Sequence, residues 1–163
     1  MGALILIIVA YFVFLGGIIV CSIAKSRAKR AKLDNQIENL ANGTMEMTPE
    51  EFFRFRNYSF GGKGSPKYAL YHNFEGVYIL YNKTKNMYYV GQAKKIFDRV
   101  NSHFSGRGNG DVYADYKYGD EFTIKMISLE NSGFDSLNAL ERAAISKYNA
   151  FARGYNKTRG NRL

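Results

Sequence analysis

A single cysteine, Cys21, is all the thiol this sequence carries, and it lies inside an apolar run. An intrachain disulfide framework and a multi-cysteine zinc site are both excluded. Acidic residues are missing altogether before Asp34. Side-chain charge is also missing ahead of the apolar run, where a secretory signal places its positive residues. The glycine-rich stretch "NYSFGGKGSP" lacks the GxxxxGK[ST] spacing, so a P-loop phosphate cradle is not expected there. No internal repeat is present, and 163 residues leave room for one compact domain and some connecting sequence.

What the chain does hold is an uncharged apolar run from Ala3 to Ala24, "ALILIIVAYFVFLGGIIVCSIA". At roughly 1.5 Å rise per residue it is long enough for the ~30 Å hydrocarbon layer, and it reads as a transmembrane helix. Ser22 and Ala24 offer a small-x-small cleavage site, which keeps a signal peptide as the competing reading. The basic flank "KSRAKRAK" follows the run, and the positive-inside rule then sets the N-terminus outside and the bulk of the chain in the cytoplasm. That flank holds five of the 23 basic residues, so 18 remain against 14 acidic ones, and the formal charge of +9 argues only modestly for nucleic acid.

Residues 25–47 form a basic juxtamembrane stalk, with Leu33, Ile37, Leu40 and Ala41 at helical spacing. Residues 48–73 are a short helix, capped by Thr48 with Pro49 and Glu51 behind it, and a glycine-rich loop. From Gly76 the pattern turns to strands: "VYILY" and "MYYVG" flank the polar connection "NKTKN". "KIFDRVNSHF" is helical, "DVYADYKYG" is a short helix closed by Gly119, and "EFTIKMISL" alternates as a third strand. "DSLNALERAAISKYNAF" is a final helix capped by Asp135 or Ser136. The fold class is α+β, a small three-stranded antiparallel sheet flanked by helices.

Glu141 sits inside the apolar stripe of that final helix, among Leu137, Ala144, Ile145 and Tyr148. A carboxylate there must find a partner, bind a metal or shift its pKa upward, unless it lies at the edge of the stripe. Arg99 and His103, one turn apart, share a helix face at the margin of the core, which suits a guanidinium fork aimed at phosphate. Each has an ordinary alternative, a surface arginine and a hydrogen-bonded histidine, as do Tyr78, Tyr88 and Tyr89 in a hairpin.

Taken together, Gly76-Val77-Tyr78, ten further residues, Tyr89-Val90-Gly91 and then Arg99 resemble the GIY-YIG nuclease family, with valine for isoleucine in both signatures. Glu141 and Asn156, on and beyond the late helix, extend the resemblance over residues 74–158, leaving a basic tail at 159–163. The resemblance implies hydrolysis of a phosphodiester with a divalent metal, Mg²⁺ being expected, held by Glu141. Tyr78 would activate water, with Tyr89 beside it, and Arg99 would balance developing charge. An unperturbed tyrosine is ionised in about one molecule per thousand at pH 7, a deficit of roughly 4 kcal/mol, so Tyr78 needs help. Tyr113 is the first candidate and Lys117 the second. Gly91, His103, Lys117 and Asn156 are expected along the substrate, with His103 in substrate contact or packing and Asn156 holding local geometry ahead of touching the scissile phosphate.

These features add up to a single-pass membrane-anchored endonuclease with a cytoplasmic catalytic domain. It would act on nucleic acid, DNA ahead of RNA, near the inner membrane face. A protein partner is possible within the same pattern. Two alternatives stand beside this reading: a non-catalytic nucleic-acid tether, and an anchored protein-interaction module.

Overall fold

A computed structural model of the chain describes residues 2–59, 61 and 67–161, with backbone alone for 2–10, 12 and 13. The expected glycine-rich loop falls largely outside the described residues. The chain divides into two units, residues 1–36 and 37–163. The first unit is helical, from the long α1 (Gly2–Asn42), and carries an i,i+4 ion pair between Arg30 and Asp34. Among the described residues no helix is long and apolar enough to cross a membrane. Much of the expected anchor at 3–24 lies among the residues whose side chains are not described.

The second unit is built on β1 (Gly76–Asn82), paired antiparallel with β2 (Met87–Ala93) on one side and β3 (Phe122–Ser128) on the other. The expected α+β class and three-stranded antiparallel sheet are both found. The hairpin between β1 and β2 turns at Asn86, whose φ of 53° lies in the left-handed region that asparagine tolerates. Asn82 Oδ1 accepts the Lys85 N–H at 3.0 Å and fixes the turn from within.

Strand alternation then sorts the chemistry onto two faces. Tyr78, Leu80, Tyr89 and Gly91 point to one face, covered by α2 (Pro49–Asn57), α4 (Ile96–Phe104) and α5 (Gly110–Lys117). Val77, Ile79, Val90 and Gln92 point to the other, covered by α6 (Leu137–Lys147) and by Ile37 and Ala41. Three helix N-caps follow from the sequence. Thr48 accepts from the Glu51 N–H while the Glu51 carboxylate accepts from the Thr48 N–H, a complete capping box. Ser136 accepts from the Ala139 N–H, and Asn109 from the N–H groups of Asp111 and Val112.

Three boundaries differ from the sequence expectations. The second half of the expected stalk belongs to the core: Ile37 and Ala41 are buried, and Met47 exchanges backbone hydrogen bonds with Ile124 along the edge of β3. Residues 48–73 are not a separate segment either, because Phe52 of α2 is fully buried and stacks on Phe97 of α4. A third helix, α3 (Tyr68–Tyr71), is one turn long and has no periodicity to announce it.

Candidate active site

The site begins with a tyrosine that has nowhere to go but inward. Tyr78 occupies the central strand, is 1% exposed, and lies against Gly91 of β2, where any Cβ would collide with the phenol. Gly91 is therefore required to make room for Tyr78. Its phenolic oxygen stands 2.9 Å from Nε2 of His103 on α4.

His103 is 0% exposed, and its environment settles its protonation. Nδ1 accepts the backbone N–H of Asn109 at 2.8 Å. Burial, with the nearby positive charge of Arg99, pushes the imidazole pKa down to about 4. The ring is neutral at pH 7, and with Nδ1 accepting, its one proton sits on Nε2. His103 therefore donates to the Tyr78 oxygen. The loop that enforces this arrangement packs tightly: Gly108 lies against the imidazole, where a Cβ would fall 2.5 Å from Nδ1.

Burial drives the Tyr78 phenol well above its ordinary pKa, and the neighbouring Tyr89 adds to the rise. The Arg99 guanidinium acts in the opposite direction. Tyr89 completes the aromatic wall, its ring centroid 6.1 Å from that of Tyr78 and 4.9 Å from that of His103. Arg99 itself lies on the exposed side of α4, one turn before His103.

On the opposite side of edge strand β2, Glu141 of α6 is 8% exposed. Its Oε2 accepts from Gln92 Nε2 at 3.0 Å and from the Asn161 N–H at 3.5 Å, while Gln92 also donates to Asn138 Oδ1 at 2.7 Å. Burial raises the Glu141 pKa, opposed by those donors and by the charge of Arg142. Among the described residues no ion pair neutralises this carboxylate. A buried carboxylate with neutral donors and no cationic partner fits a cation. No group of three or more His, Cys, Asp or Glu side chains forms a metal cage among the described residues. A lone carboxylate suits a hard divalent ion that keeps waters and takes substrate phosphate as further ligands.

Adjacent residues of β2 thus join the two halves, since Gly91 receives Tyr78 on one face and Gln92 holds Glu141 on the other. Gln92 escaped the sequence reading, although alternation from Gly91 places it toward the helix that carries Glu141. Asn109 also escaped it, because nothing local ties its N–H to His103.

Several expected residues stand elsewhere. His103 is fully enclosed, with Nε2 on the Tyr78 oxygen. Gly91 is buried beneath the phenol and leaves the space that the Tyr78 ring fills. Asn156 spends its amide on the backbone of Val90, accepting from N–H at 2.9 Å and donating to C=O at 2.7 Å, which seals the outer edge of β2. Tyr113 packs its ring against Gly106 in the loop that wraps His103. Lys117 lines a separate cleft of about 530 Å³ with Pro49, Tyr116 and Phe122.

Comparison with known proteins gives one family and one structure. Residues 74–156 match the family model of the GIY-YIG catalytic domain, slightly more than half of the chain. No curated protein matches. Among solved structures, a point mutant of the catalytic domain of intron endonuclease I-TevI is 25% identical, with 53% of this chain and 96% of that chain covered and a TM-score of 0.42.

Proposed function

The chain belongs to the GIY-YIG family and is a phosphodiester-hydrolysing endonuclease; from that premise we propose that it cuts DNA with Mg²⁺, while held at the inner face of a membrane by residues 3–24. The observation that carries the catalytic part is the bond between Nε2–H of His103 and the Tyr78 oxygen.

That bond decides how Tyr78 works. Because Nε2 already carries a proton, His103 is not the base that takes the proton of Tyr78. It offers a hydrogen bond that strengthens as the phenol becomes phenolate, and hydrogen bonds to a charged acceptor are roughly twice as strong as neutral ones. The phenol proton is left free to point away from His103. Arg99, on the exposed side of the same helix, places a permanent positive charge near the nascent phenolate. Tyr78 is thus a phenol at rest: its own proton passes first to solvent water, the phenolate then takes the proton of the attacking water and becomes a phenol again, and Arg99 balances charge on the phosphate oxygens. A divalent cation bound at Glu141 would supply Lewis-acid polarisation of the scissile phosphate. Gln92 holds the carboxylate that would bear it.

The anchoring is supported by the uncharged run 3–24, by the basic flank at 25–32, and by the exposed side chains of Phe14, Ile18, Val20 and Ile23. Tethering confines cutting to nucleic acid close to the bilayer. DNA ahead of RNA, and Mg²⁺ ahead of other divalent ions, remain part of the same proposal.

Substituting Tyr78→Phe keeps the ring and deletes the oxygen. The variant is expected to bind a DNA duplex within a few-fold of the unchanged protein and to lose cleavage by at least ~100-fold, the lower range for a positioned acid or base. Undiminished cleavage would remove Tyr78 from the chemistry. Flotation with anionic vesicles tests the anchor: the full chain should float and residues 33–163 should not.

A further inference from the structure

The family match stops at residue 156, yet the next five residues turn back onto the acidic half of the site. Lys157 is fastened to Asp111 at 2.6 Å. Arg142 donates through Nη1 to the Asn161 carbonyl at 2.8 Å, and the Asn161 N–H reaches Glu141 Oε2 at 3.5 Å. Between these fixed points Gly160 has a φ of +94°, which L side chains rarely adopt. A Cβ there would lie 2.9 Å from Arg142 Cγ and 3.4 Å from Glu141 Oε2.

We propose that residues 157–161 form a strap that positions the Glu141 carboxylate for a divalent cation. The inference rests on the reading of Glu141 as the metal-bearing residue. A glutamate carboxylate turns readily about its last torsion, which has broad, roughly two-fold preferences. Two donors converging on the same oxygen, Gln92 from the sheet and Asn161 from the strap, restrain that rotation and fix which oxygen faces outward. Outer partners of this kind typically change metal affinity 10–100-fold when they are lost. Gly160 and Asn161 are positioning residues: they act through Glu141 and touch no reacting atom.

The test uses the full chain in detergent and Mn²⁺ as the probe, with affinity read by calorimetry in the absence of DNA. Glu141→Gln first localises the binding, and loss of the heat is expected. Gly160→Ala, which displaces the strap, should weaken Mn²⁺ binding about 10-fold, the lower end for such partners. Cleavage by this variant should fall at limiting metal and recover at saturating metal. Thermal unfolding of each variant checks that the domain is intact. Unchanged or tighter Mn²⁺ binding by Gly160→Ala would overturn the strap while leaving Glu141 as ligand. Absence of Mn²⁺ binding by the unsubstituted protein would overturn the metal reading itself, and the strap with it.

Discussion

At the scale of single residues, the pairing of Tyr78 with His103 makes a sharp demand on pH. The folded state holds His103 at about 4 against an ordinary 6.5, so between these values the unfolded chain binds more protons. The stability this contributes is complete above about pH 6.5 and is lost as pH falls to about 4, amounting to about 3 kcal/mol. Denaturant midpoints measured from pH 7.5 to 4 should show that loss, and His103→Gln should flatten it. An equal slope in both proteins would contradict the buried neutral imidazole. Gly91→Ala tests the other side of the phenol: overpacking against Tyr78 should destabilise by about 1–3 kcal/mol and cost activity beyond that loss of fold. Denaturation and plasmid cleavage, each measured on the folded fraction, separate the two effects. Tyr78, Tyr89, Arg99 and Glu141 could be picked out as candidates in the sequence because their spacing follows a family pattern. The role of His103 was not, since a histidine on a helix face reads equally as a surface or a core residue until its two nitrogens have partners.

At the scale of elements, the helices before β1 carry more of the domain than their sequence suggests. Phe52 of α2 is fully buried and meets Phe53 and Phe97 with ring centroids 5.8 and 6.2 Å away. Phe52→Ala is expected to cost about 3–5 kcal/mol, as for large aromatic truncations in packed cores. A loss below about 1 kcal/mol, by urea unfolding, would show that α2 merely rests on the domain. The capping box at Thr48 and the cap at Ser136 were readable because side chain and backbone are close in sequence. Edge sealing was not. Asn156 reaches Val90 across 66 residues, and Tyr155 Oη donates to Asp115 at 2.6 Å while accepting from Asn82 at 2.7 Å. Such long-range bonds leave no periodic trace. Tyr155→Phe should therefore destabilise by about 1–3 kcal/mol, because the buried Asn82 amide loses one of its two acceptors. Thermal or urea unfolding measures that loss.

At the scale of the whole molecule, the catalytic unit spans residues 37–163 and its integrity depends on Ile37 and Ala41 as much as on the strands. A fragment beginning at residue 45 would strip both side chains from the core beside α6, whereas one beginning at residue 33 retains them. The start of the independent unit was not legible in the sequence, because a stalk and a core helix share the same spacing of apolar residues. The central claim is that Glu141 and Tyr78, held on either side of β2, form one metal-dependent nuclease site. The most direct measurement incubates residues 33–163 with supercoiled plasmid and Mg²⁺, beside Glu141→Gln and a chelator control. Nicking or linearisation by the unsubstituted fragment alone, abolished by both controls, is the predicted result. Cleavage that persists in Glu141→Gln, or its absence from a folded fragment that retains DNA binding, would contradict the account.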